Sequence, residues 1–196
     1  MDFDGLFDEK LSQYMEENKG KYTEKQWENI IPRLYQKFGD TYVAKVKCTP
    51  KEYYARMTDE ELTATLSVHL KEQIPVPDFL CCEIEGRNCT EALLSLLKSD
   101  DGETVSYAIN LVGADERAFP DYFSMITENK FDEDIRDAAV EKLKENADKA
   151  TEAALKFYKE GTAKEYMLEI LSRAKKRDEG IFRILLDEFL SDVGGV

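Results

Sequence analysis

The chain has little of what most chemistry is made from. Among its 196 residues there is one histidine, His69, and one tryptophan, Trp27. No window approaches the roughly 18 apolar residues that a helix needs to cross a bilayer. The start, Met1-Asp2-Phe3-Asp4, is acidic where a secretory leader is basic, and no long apolar stretch follows it. A cytoplasmic protein with no membrane partner is therefore expected. Gly-rich phosphate loops, H-E-x-x-H and nucleophile elbows are also missing. Nothing points to a catalytic residue or a cofactor, and an enzyme is not expected.

Positive charge is the other shortage. Twenty-seven Lys and Arg face 41 Asp and Glu, for a net charge of −14. Residues 1–80 hold 15 acids and 11 bases, so residues 81–196 hold 26 and 16 and carry −10 of the total. Such a chain repels a polyanion, and nucleic acid is excluded as an expected partner.

The four cysteines, Cys48, Cys81, Cys82 and Cys89, are expected as thiols in a reducing compartment. Cys81, Cys82 and Cys89, with His69 upstream, are the nearest approach to a metal site. Zinc ligands usually include a pair spaced C-x2-4-C, whereas here one pair is adjacent and the third thiol lies seven positions on. Small residues on a partly buried helix account for them better. His69 shares the face of Leu62, Leu66 and Leu70, as a half-buried helix histidine would. Asp132-Glu133-Asp134 lacks the glycine of a calcium loop, because Asp137 stands at the sixth position. Those acids suit the first turn of a helix, just as Arg173, Lys175, Lys176 and Arg177 suit the end of one.

What the chain does have is helical periodicity. Phe3, Phe7, Leu11, Tyr14 and Met15 trace one face. Thr23 with Gln26 reads as a capping box, followed by Trp27, Ile30, Ile31, Leu34 and Phe38. Gly39 is the expected stop, and Pro32 predicts a kink or break near Ile31. Thr49-Pro50 opens a short helix, and Thr58 with Glu61 opens another, ending near Gln73. Ile74-Pro75-Val76-Pro77 is not helical, and Asp78 caps a segment running to about Glu85.

From Thr90 the pattern turns regular. Helices start near Thr90, Ala118, Lys149 and Gly180, and between them near Glu103, Asp132 and Thr162. The resulting helix–turn–helix unit of about 30 residues is of solenoid length. Asp115-Glu116-Arg117, Asp148-Lys149-Ala150 and Asp178-Glu179-Gly180 open three units with a similar phrase.

Residues from about Thr90 to Asp192 therefore resemble HEAT repeats of the short bacterial, armadillo-type kind. The stretch from Thr49-Pro50-Lys51-Glu52-Tyr53-Tyr54 to Ile74-Pro75-Val76-Pro77-Asp78-Phe79-Leu80 resembles the segment that precedes such repeats in Firmicutes proteins. The resemblance implies an all-α fold, a right-handed α-α superhelix of helix pairs. An N-terminal helical region, 1–89, would lead into repeats over 90–196, with the last repeat incomplete. It implies a scaffold that binds protein or peptide on a concave face lined by the even helices. The acidic balance selects a basic or amphipathic partner. Glu133, Arg136, Asp137 and Lys164 are the expected partner-binding residues, and the C-terminal helix offers a route to self-association. Other HEAT-like proteins resemble DNA glycosylases or bilin lyases, and a fragment of a larger repeat protein is a further alternative.

Overall fold

The computed structural model describes residues 1–87, 89–128, 130–176 and 179–194. Among them the chain is all-α, with no β-strand beyond one isolated bridge between Val43 and Cys48. No described helix is long and apolar enough to cross a membrane. The chain divides into two compact units, Met1–Ala92 and Leu93–Val196.

Unit 1 holds α1 (Phe3–Glu17), α2 (Glu24–Gly39), α3 (Pro50–Ala55), α4 (Asp59–Lys71) and α5 (Asp78–Arg87). Three of these begin with a capping box. Thr23, Thr49 and Thr58 each accept a hydrogen bond from the backbone three residues on. Gln26, Glu52 and Glu61 return the bond to the cap. Each box satisfies two of the amide groups that a helix start leaves without partners.

Arg87, on the last turn of α5, does the same work for carbonyls. Its guanidinium donates to the backbone oxygens of Met57 at 2.5 Å, Ala55 at 2.6 Å and Tyr54 at 3.3 Å, and to Glu83 at 2.6 Å. A cation thus closes the C-terminal end of α3, where the helix dipole is negative. The interior between these helices is aromatic. Phe3 meets Tyr53 and Tyr54 edge-on, Phe7 packs on Tyr35 and Phe38, and Tyr35 stacks on Phe79 at 4.6 Å.

One expectation for α2 needs correction and another holds. Pro32 neither breaks nor ends the helix, which runs unbroken from Glu24 to Gly39. Proline removes one amide donor, and the carbonyl it leaves without that bond belongs to Glu28, an exposed residue, so solvent can satisfy it. Gly39 ends α2 as expected, and it does so outside the left-handed region, since it is not among the residues of positive φ. Its hydrogen is required by packing: a Cβ there would lie 2.6 Å from the Phe79 ring.

The helix α6 (Thr90–Leu96) crosses the division, and unit 2 continues with α7 (Gly102–Val112). A 3₁₀ turn (Glu116–Ala118) leads into α8 (Phe119–Thr127), followed by α9 (Glu133–Glu145), α10 (Ala147–Glu160), α11 (Lys164–Arg173) and α12 (Glu179–Gly194). The expected helix starts from Thr90 onward agree with these bounds to within a few residues. Successive helices pack in pairs, α8 on α9 and α10 on α11, and α9 also lies against both α7 and α11. One hydrophobic cluster runs through the unit, including Ile109, Tyr122, Leu143, Met167 and Ile170. Ala108, Ala139, Ala150 and Ala154 are fully buried in it. Alanine at these positions lets helix backbones approach closely, as ridge-into-groove packing favours.

Gly161 closes α10 in the left-handed region at φ +80, which a side chain would strain. Two of the three similar phrases do different things. Asp115 caps the 3₁₀ turn through the Arg117 amide at 2.9 Å. It is held at about 2 mainly by its hydrogen bonds with Arg117. Asp148 sits inside the first turn of α10 and accepts from the amides of Lys175 and Lys176, at 2.7 and 3.0 Å, tying down the segment after α11. Asp178 lies outside the described residues, as does Arg177.

Candidate functional site

Three of the four expected partner-binding residues come together on α9. The Asp132 side chain accepts from the Ile135 amide at 3.2 Å, so the first turn is fixed by a cap. Ile135, Ala139, Val140 and Leu143 face the core. Helical geometry then turns Glu133 and Asp137 outward, where both are exposed. Arg136, half-buried, donates from Nε to the Asp132 carbonyl at 3.4 Å and lays its guanidinium 5.9 Å from the centre of the Tyr166 ring. Tyr166 belongs to α11, the neighbour of α9. Its phenol is raised above the usual value, first by burial and then by the carboxylates of Asp137 and Glu133, with Arg136 opposing. The result is a small mixed-charge surface around one aromatic ring.

Lys164 does not join it. Its ammonium lies 5.3 Å from the Tyr158 ring centre, and Tyr158 donates to Glu188 of α12 at 2.6 Å. That bond, more than burial, pushes the Tyr158 phenol up to about 12. Tyr158 and Tyr166 are half-buried residues that the sequence reading did not single out as site residues. Their signal is chemical: a tyrosine at the edge of an amphipathic stripe buries its ring and exposes its hydroxyl.

The thiols and the histidine sit in unit 1 and do other work. Cys82 is exposed, Cys81 half-buried, and Cys48 and Cys89 buried. Burial and neighbouring acids push the Cys81 thiol up to about 11, and burial with Asp59 does the same for Cys89. At neutral pH both are protonated, whereas a nucleophile or metal ligand is a thiolate. Among the described residues no three His, Cys, Asp or Glu side chains converge closely enough to hold a metal ion. His69 is buried, and its Nδ1–H donates to the Pro75 carbonyl at 2.8 Å. The bond fastens the Ile74–Pro77 loop onto α4, as the Ile74 amide does through the His69 carbonyl at 2.9 Å. Asp132, Glu133 and Asp134 form a cap and an acidic first turn.

Each unit also carries an open groove that the sequence pattern did not announce. In unit 1 a space of ≈ 910 Å³ is bordered by Tyr35, Phe79, Asp78, Lys37, Asp40 and Lys51. Lys51 is engaged with Asp40 at 2.8 Å. Tyr35 donates to Asp4 at 2.7 Å, and burial raises the Asp4 carboxyl above the usual range. In unit 2 a groove of ≈ 600 Å³ has Phe119, Phe123, Ala153 and Phe157 along it, with Glu116 and Lys149 paired at 3.4 Å across one end. Comparisons with protein-family models, with curated proteins and with solved structures each find no match.

Proposed function

We propose that this chain is a cytoplasmic protein-interaction module, built as a HEAT-like, right-handed stack of helix pairs. The observation that supports the reading is the placement of α9 between α7 and α11. Side-by-side second helices of successive pairs form one layer, and stacked layers of this kind offer extended surfaces to peptides and proteins. Glu133, Arg136 and Asp137 stand on that layer with Tyr166 among them. The partner is a basic or amphipathic protein segment, attracted by the net charge of −14 and seated on the Arg136–Tyr166 pair.

The test compares affinity capture from cytosol by the native chain and by Glu133→Lys/Asp137→Lys, at low and at moderate salt. A protein held by the native chain, and released both by the double substitution and by salt, is the expected result. Identical captures by the two chains, or binding indifferent to salt, would overturn the proposal.

A further inference from the structure

Among its described side chains, α12 is held on one side. Ile181 is buried, Leu185 is half-buried in the core of unit 2, and Glu188 accepts from Tyr158. On the opposite side Phe182, Leu186 and Leu190 are exposed by 60%, 43% and 55%. These residues are spaced four apart, one per turn, and form a single apolar row. An exposed row of large apolar side chains marks a contact surface more often than chance exposure does.

The charges beside the row are self-complementary. Arg183 and Asp187 lie along one flank, three residues before Leu186 and one after it. Suppose a second copy of α12 runs antiparallel with its twofold axis at Leu186. The same flanks then meet, and Arg183 comes opposite position 189 of the partner subunit. It thus lies about 3 Å along the axis from Asp187 of the partner subunit. The symmetry supplies the reciprocal pair. Arg183 already meets Glu179 at 3.3 Å, but both groups are largely exposed, so that contact is weak and leaves the guanidinium able to turn.

We infer that the Phe182–Leu186–Leu190 face binds a second copy of this chain, forming an antiparallel α12 pair with crossed Arg183–Asp187 contacts. Three helical turns cover less than the roughly 800 Å² per partner of a stable interface, so the dimer is weak, with Kd on the order of 10–100 µM. Each copy carries −14, so salt screens the repulsion and strengthens the pair. This is opposite to the salt response of a basic partner.

Sedimentation velocity of the full chain, from about 10 to about 500 µM around the dissociation constant, reads the association. Mass should rise with concentration, and more steeply at higher salt. Leu186→Asp, an exposed substitution whose folding circular dichroism checks, should weaken the dimer at least about tenfold, since it places two carboxylates at the twofold axis. Arg183→Asp should also weaken it, and Arg183→Asp combined with Asp187→Arg should restore it. A monomer at every concentration, a dimer untouched by Leu186→Asp, or a charge swap that fails to restore association would overturn the inference. So would a basic amphipathic peptide that occupies this face, loses affinity with salt, and binds a chain that does not self-associate.

Discussion

The two units solve the same problem with different materials. Unit 1 joins short helices of unequal length, and its stability devices are polar and aromatic. It has three capping boxes, one arginine reaching three backbone carbonyls, and a run of edge-on and stacked rings. Unit 2 joins helices at regular spacing, and its interior is mostly aliphatic, with alanines at the crossings and Phe119, Tyr122 and Phe123 among them. Where helices repeat, one packing solution can be used again and the core becomes continuous. Where they do not, each junction needs its own hydrogen bonds.

That contrast is open to breakage. The largest expected effect is Leu143→Ala in the centre of unit 2, where the side chain is fully buried. Transfer and cavity terms together should cost about 2–5 kcal/mol. Thermal unfolding followed by circular dichroism measures the loss. Fluorescence of Trp27, packed between Tyr14 and Tyr22 on unit 1, gives the reference signal. A cost below about 1 kcal/mol would show that the core of unit 2 relaxes around the gap.

Next comes Gly39→Ala. Helix propensity alone would favour alanine by roughly 0.5–1 kcal/mol. The Phe79 ring at 2.6 Å reverses the sign, because the ring is itself buried and stacked on Tyr35. Overpacking should cost about 1–3 kcal/mol, measured by urea unfolding. A stabilised variant would mean that the aromatic junction of unit 1 is looser than its contacts indicate.

The smallest expected effect has the opposite direction. Tyr54 is 1% exposed, and its hydroxyl finds no hydrogen-bond partner among the described residues. Burial raises its phenol well above the ordinary value. Tyr54→Phe keeps the ring contacts with Phe3 and Tyr53 while removing the desolvated oxygen, and should stabilise unit 1 by about 1 kcal/mol. A loss of stability instead would place an ordered water on that hydroxyl.

Legibility followed the range of the interaction. Caps are read over three residues, and Thr23 and Thr58 were visible as boxes because both partners lie in one short stretch, while Thr49 was legible as a cap before Pro50 and its box with Glu52 was not read. The Ile74–Pro77 loop was visible because proline restricts itself and its predecessor. The break expected at Pro32 failed for a related reason. The local rule counts the lost amide but not where the stranded carbonyl lies, and at exposed Glu28 solvent can replace the bond. Of the candidate surface, the outward positions of Glu133, Arg136 and Asp137 were legible from the period of α9. Their gathering around Tyr166 was not, since that ring arrives from another helix. Lys164 shares the charge of Arg136 but answers to Tyr158.

Sequence alone therefore determined the helical class, most helix starts and the near-30-residue rhythm after Thr90. Those features depend on neighbours within about one helical turn, and on a period that any buried stripe must obey. Tertiary structure alone decided the rest. It brought Arg87 to carbonyls 30 to 33 residues upstream and added to the stop at Gly39 a demand for space beside Phe79. It also left Phe182, Leu186 and Leu190 facing solvent while Ile181, one residue away, is buried. The period makes a stripe, but only the packed neighbours determine which side of it is covered.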